Sequence, residues 1–222
     1  MIVLIGNTKG GTGKSTTSVQ LAVARANQGK NVWLVDGDPQ NSSGQAITLR
    51  LMDGVKPAVA ASHYPKGDDF YVQVEHQSKL YDDVILDCGG FDSESLRSAL
   101  ALADVLVVPF QPRAFDTWAL SRMASLIDEA QRARSRAKIQ PLRVHAMLSM
   151  ADPGVNASDN LEAERVLEHY PQLPFLDASL GDRKAFAVAS SRGLSVDELE
   201  RKDQKASFEL KRLVRHIFGD VE

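Results

Sequence analysis

Short, solidly apolar runs alternate along the chain with longer stretches in which apolar side chains recur every three or four positions. The runs fall at Ile2–Ile5, Asn31–Val35, Asp83–Asp87, Val105–Pro109, Arg143–Leu148 and Pro174–Leu176. They lack the in–out alternation of half-exposed strands, as expected of strands covered on both faces. Helical periodicity predicts helices near 15–28, 44–53, 93–103, 116–136, 158–169, 183–192 and 203–218. The less regular stretch from Met52 to Leu80 reads as a short strand at Val59–Ala61 and a helix near 69–79. Such alternation predicts an α/β fold: a mostly parallel, twisted sheet with helices on both faces. Ligands of these sheets bind at the carboxyl ends of the strands.

A length of 222 residues suits one well-buried domain covering 1–222. With 43% hydrophobic and 25% charged residues the composition is ordinary for a globular chain. A net charge of −3 excludes a wholly cationic nucleic-acid binder, so any DNA contact needs a local basic patch. Cys88 is the single cysteine, which excludes an intramolecular disulfide and predicts a reducing, cytoplasmic setting. No apolar run approaches the ~20 residues of a membrane span. The opening MIVLIG has neither the charged region nor the cleavage site of a secretory signal.

Chemistry concentrates after the first strand, in the sequence GNTKGGTGKSTT. Asn7–Gly13 joins a strand to a helix. Gly10, Gly11 and Gly13 allow backbone N–H groups to turn inward onto phosphate oxygens, with the helix N-terminus aimed at the same place. Lys14 would reach the β- and γ-phosphates, the Ser15 hydroxyl would ligate Mg²⁺, and Thr16 is placed for the α-phosphate. A strict phosphate loop has glycine where Thr8 stands, so the loop is a variant, with a further lysine, Lys9, ahead of Lys14. Asp36 and Asp38 close the second apolar run on the same side of an extended segment, and Asp87 closes the third.

The stretch KGGTGKST, Lys9 to Thr16, resembles the deviant Walker A signature of the ParA/MinD family of ATPases. VWLVDGDPQ (Val32–Gln40), VILDCGG (Val84–Gly90) and VVPFQP (Val107–Pro112) are similar to its second motif, its Walker B strand and its next strand; RKAFAVASSRGLSV is a weaker match. The resemblance implies a P-loop NTPase fold binding ATP and Mg²⁺ through Lys9, Gly10, Gly11, Thr12, Gly13, Lys14, Ser15 and Thr16. It implies that Lys9 crosses a nucleotide-sandwich homodimer to the partner's phosphates. It gives Asp38 the attacking water and part of the Mg²⁺ shell, and Asp87 a water-mediated Mg²⁺ contact; Asp36 is read as a structural hydrogen-bond acceptor. The family more often carries other residues at Gly89 and Gly90, where a backbone shift on γ-phosphate loss is expected. The loops Ser149–Asp152 and Ala178–Arg183 are expected at the base, and the lack of an Asn-Lys-x-Asp motif favours ATP over GTP.

The resemblance further implies a small, single-domain partition ATPase of the nucleoid, with no helix-turn-helix ahead of the first strand. Its ATP-bound dimer would hold nonspecific DNA until a centromere-binding, ParB-like partner stimulates hydrolysis. Candidate DNA contacts are Arg132, Arg134, Arg136 and Lys138, with Arg183, Lys184, Arg192, Lys211, Arg212 and Arg215. A cation cluster at a helix end is equally a solvated end that suits the helix dipole. In the last predicted helix Leu210, Leu213, Val214 and Ile217 form one apolar face, which fits either a MinD-like membrane contact or packing on the sheet. The acidic GDVE that follows disfavours the membrane. A metabolic ligase on the same scaffold is a further alternative, and one cysteine is too few for a nitrogenase-iron-protein cluster.

Overall fold

Among the described residues seven parallel strands form one sheet, in the order Ala60–His63, Val32–Asp36, Asp83–Asp87, Ile2–Ile5, Val105–Phe110, Arg143–Ala151, Leu180–Gly181. The structure is a computed structural model and describes residues 1–112, 117–152 and 158–219. The strands are β1 (Ile2–Ile5), β2 (Val32–Asp36), β3 (Ala60–His63), β4 (Asp83–Asp87), β5 (Val105–Phe110), β6 (Arg143–Ala151) and β7 (Leu180–Gly181). The helices are α1 (Lys14–Asn27), α2 (Ser42–Met52), α3 (Gly67–Gln77), α4 (Glu94–Leu102), α5 (Thr117–Arg136), α6 (Ser158–Leu167), α7 (Lys184–Ser190) and α8 (Gln204–Phe218). The sheet is thus parallel throughout, with helices covering both faces. The acidic end at 220–222 lies outside the described residues.

The central strands carry apolar side chains on both faces because both faces are covered. In β1, Val3 and Ile5 enter a core shared with α1, α2, α7 and α8, while Leu4 points into a second core built with α3–α6. The expected strand at Pro174–Leu176 is corrected: Phe175 makes only an isolated bridge to Ala146, and the seventh strand is the two-residue Leu180–Gly181. The run at Arg143 continues to Ala151, past the expected end at Leu148. The irregular stretch yields β3 and α3 close to their expected places.

β1 lies between β4 and β5, and the chain leaves the sheet centre at Gly6 for α1. The carboxyl ends of β1, β2 and β4 stand side by side in register, Ile5 beside Asp87 and Asp87 beside Asp36. The phosphate loop and both acidic strand ends therefore converge at one edge.

Candidate nucleotide-binding site

The loop between β1 and α1 is fixed from several sides. Buried Asn7 donates its amide to the Pro109 carbonyl at 2.8 Å, and its Oδ1 accepts the Lys9 N–H at 3.0 Å. Gln111, just past β5, donates to the Gly11 carbonyl at 2.6 Å. The Thr8 hydroxyl donates to the Ala119 carbonyl at 3.1 Å and ties the loop to the first turn of α5. That bond is a physical reason for threonine where the strict motif has glycine. Gly11 and Gly13 take left-handed φ values of 72° and 82°. A Cβ on Gly13 would also lie 2.2 Å from the Ser149 hydroxyl, so the loop passes against the end of β6. α1 begins without a side-chain cap, leaving its first-turn N–H groups directed at the cradle.

Lys14 is 7% exposed, and its Nζ donates to the Lys9 carbonyl at 2.9 Å across the loop. Burial drives the Lys14 pKa down, while Asp87, Asp38 and then Cys88 pull it back up. Phosphate oxygens would supply the acceptors and countercharge that this buried ammonium favours.

The three carboxylates differ sharply. Asp36 Oδ2 accepts from the Ser43 N–H (3.0 Å), the Ser43 hydroxyl (2.7 Å) and the Gly44 N–H (3.2 Å), while Oδ1 accepts the Asp38 N–H (2.9 Å). It anchors the start of α2, the structural role read from the sequence. Asp38 is half-buried; its Oδ1 accepts the Gln40 N–H at 2.9 Å, and the His63 ring meets its carbonyl at 2.9 Å. Asp87 is 1% exposed with Oδ2 unpartnered. Burial first and the Asp36 charge second push its pKa up to about 7, against the Ser15 and Ser43 hydroxyls and the Lys14 charge.

A Mg²⁺ fits this donor set. The orphaned Asp87 oxygen and the nearby Ser15 hydroxyl are hard oxygens, and Mg²⁺ in phosphate sites takes few protein ligands beside water and phosphate. Among the described residues no three His, Cys, Asp or Glu side chains group as an all-protein metal site. The buried Thr12 hydroxyl is likewise without a partner.

The unusual Gly89-Gly90 pair is explained by close approach. A Cβ at Gly90 would stand 2.7 Å from the N and Cα of Gly10, and one at Gly89 would stand 2.9 Å from Asp38 Oδ2. The segment after β4 thus touches the phosphate loop with one glycine and Asp38 with the other. Sequence reasoning missed the bracing by Asn7, Thr8 and Gln111; polar residues just past apolar strands were the available signal.

The candidate DNA contacts are scattered. Arg132, Arg136 and Lys138 are exposed near the end of α5. Arg134 is corrected: it is 4% exposed, and its guanidinium donates to the carbonyls of Gln140, Ala101 and Leu100, so it holds α5 to α4. Arg183 pairs with Glu209 at 2.6 Å, and Arg212 pairs with Asp177. Lys184, Arg192, Lys211 and Arg215 are exposed. The apolar face of α8 is core: Leu210, Leu213, Val214 and Ile217 are all buried. Among the described residues no helix is long and apolar enough to cross a membrane.

A braced glycine loop, a buried lysine and a helix N-terminus at the carboxyl edge of a parallel sheet define a P-loop nucleotide-binding protein. Residues 3–196 match the CobQ/CobB/MinD/ParA nucleotide binding domain, and the chain belongs to that family. It is 30% identical over 151 residues to Protein ParA of Rhizobium radiobacter, covering 68% of this chain and 66%, just under two thirds, of that protein. It is 28% identical to the maintenance of carboxysome distribution protein A of Gloeobacter kilaueensis, covering 99% of this chain and 94% of that one. Its fold is that of a Cyanothece McdA–ATP complex, with a TM-score of 0.76 at 16% identity, covering 100% of this chain and 97% of that one.

Proposed function

We propose that this chain is a ParA-like positioning ATPase that hydrolyses ATP to ADP and phosphate in a nucleotide-bridged homodimer. The observation that carries this reading is the convergence of Lys9–Gly10, Gly89–Gly90 and Asp38 around the loop that holds Lys14. Lys14 contacts the phosphates of its own subunit, with the loop amides of residues 10–16 and the Ser15 and Thr16 hydroxyls. Ser15, Asp38 and Asp87 would hold a Mg²⁺ and its water shell, and the cation would supply charge neutralisation in phosphoryl transfer. Asp38 orients the attacking water. Lys9 reaches the partner's phosphates, an in-trans cation where negative charge builds up in phosphoryl transfer. Two anionic sites facing each other repel until cations bridge them, so dimerisation follows the triphosphate.

In the same reading the dimer is cytoplasmic and nucleoid-associated, holds DNA without reading its sequence, and is released when a ParB-like partner stimulates hydrolysis. The similarity to a carboxysome distribution protein over nearly the whole chain supports a second reading, in which the cargo is a protein assembly. A MinD-like membrane contact is disfavoured by the burial of the α8 stripe. Duplex DNA and anionic vesicles, each tested with ADP, ATP and a non-hydrolysable analogue, separate the DNA-bound reading from the membrane one. DNA retention with the triphosphate forms alone supports the proposal; vesicle binding with ATP and no DNA binding overturns it.

A further inference from the structure

We propose that His63, the last residue of β3, is a positioning residue for ATP hydrolysis: its ring holds the Asp38 main chain and so aims that carboxylate at the attacking water. The inference rests on the reading above that gives Asp38 the water, and adds a side chain outside the sequence motifs. β2 and β3 run parallel with Asp36 beside His63, so the imidazole stands at the carboxyl edge of the sheet, next to the strand that delivers Asp38. Its Nε2 lies 2.9 Å from the Asp38 carbonyl oxygen. A carbonyl only accepts, so Nε2 carries a hydrogen and donates it.

Asp38 lies beyond the last paired residue of β2, where the ladder no longer fixes the chain. Its own turn fixes part of it. The Asp38 carbonyl accepts the Asn41 N–H at 3.0 Å across Pro39 and Gln40, and Asp38 Oδ1 accepts the Gln40 N–H at 2.9 Å. This is an aspartate-led turn with proline in second place, a closed unit whose tilt against the sheet is set from outside. The strand side of the unit is firm: the Gly37 N–H donates to the Asp87 carbonyl at 2.8 Å, and the Gly37 carbonyl accepts the Ser95 hydroxyl at 3.0 Å. Two further ties reach Asp38 itself. Its N–H donates to Asp36 Oδ1 at 2.9 Å, and its carbonyl takes the His63 ring as a second donor, from 25 residues along the chain. A rotation of the turn must break one of these two bonds.

The consequence is directional. Oδ1 of Asp38 is engaged by Gln40, whereas Oδ2 faces the segment after β4, 2.9 Å from where a Cβ on Gly89 would stand. Oδ2 is therefore the oxygen left for a water, and a small tilt of the turn would misplace it. The His63 ring is exposed, so little of the fold depends on it beyond this bond.

The test is steady-state ATP hydrolysis by the full chain with Mg²⁺, comparing wild type with His63→Ala, His63→Asn and His63→Gln, each also melted. The glutamine amide nitrogen lies as many bonds from Cβ as histidine Nε2; the asparagine nitrogen matches Nδ1 and falls short of the carbonyl. His63→Ala and His63→Asn are expected to lower kcat about tenfold with KM within about twofold of wild type, and His63→Gln to recover kcat to within about threefold. Should His63→Ala melt lower than wild type, the difference between the Asn and Gln variants decides alone. The residual hydrolysis of Asp38→Asn, followed as labelled phosphate release, is the second measurement. His63→Ala added to it should slow it no further, because a group that acts through Asp38 has nothing left to aim. Unchanged kcat in His63→Ala, a rise in KM alone, equal losses in the Asn and Gln variants, or a further tenfold loss on the Asp38→Asn background overturns the positioning role and leaves the Asp38 reading standing. Wild-type hydrolysis by Asp38→Asn overturns that reading, and this inference with it.

Discussion

Asp36 and Asp87 stand on the same rung of β2 and β4, both buried, yet Asp36 Oδ2 takes three hydrogen bonds and Asp87 Oδ2 takes none. One carboxylate is part of the scaffold. The other is held in reserve, raised to about 7 by burial and by its neighbour's charge. In the ligand-free protein Asp87 keeps its proton to a pH where the unfolded chain has lost it. Its contribution to stability therefore falls as pH rises from the ordinary carboxylate range through about 7, and stays lost above that. Asp87→Asn should melt higher than wild type at pH 8, by roughly 2–4 °C per kcal/mol recovered. The gap should narrow towards pH 5.5 and close only near pH 4, and scanning calorimetry at pH 8, 5.5 and 4 checks it.

The glycine pair after β4 gives two separable outcomes. Gly90→Ala drives a methyl into the backbone of Gly10, which cannot yield, and should cost about 1–3 kcal/mol with weakened ATP binding. Gly89→Ala meets the carboxylate end of Asp38, which can rotate away, and touches the Phe91 ring at an ordinary contact distance. That variant should keep its melting temperature and ATP affinity while turnover falls. Equilibrium binding set beside single-turnover hydrolysis separates the two.

Thr8 is the site's departure from the strict motif, and its hydroxyl is a tether. Thr8→Ala should remove the bond to the Ala119 carbonyl and cost about 1 kcal/mol, while Thr8→Ser should retain it. Thermal melts of the three proteins test this. Equal destabilisation in both variants would show that the methyl group matters and the hydroxyl does not.

How far the sequence could be read depended on what each residue announces. Apolar runs such as those at Ile2 and Asp83 stand out because both faces of their strands are covered, and glycine, lysine and serine in the phosphate loop have few other uses in that order. β7 could not be read, since Leu180–Gly181 is too short to leave a pattern and the apolar run at Pro174 imitates a strand. Arg134 was grouped with surface cations because charge alone says nothing of facing. Its spacing from Met123 and Ile127, eleven and seven residues on, puts it on the buried face of α5, and that periodicity was available. Arg50 left no such trace. It is fully buried, paired with Glu198 at 2.7 Å and donating to the Pro57 and Gly193 carbonyls, and chain order keeps Gly193 and Glu198 far from it.

The central claim concerns Lys9, and sedimentation velocity tests it most directly. Wild-type protein and Lys9→Ala are compared with Mg²⁺ and either ADP or a non-hydrolysable ATP analogue, after ATP affinity has been matched by titration. The account predicts a wild-type dimer with the triphosphate analogue alone and a Lys9→Ala monomer with both nucleotides, its ATP affinity within about threefold of wild type. A Lys9→Ala protein that dimerises with the analogue as wild type does would contradict it.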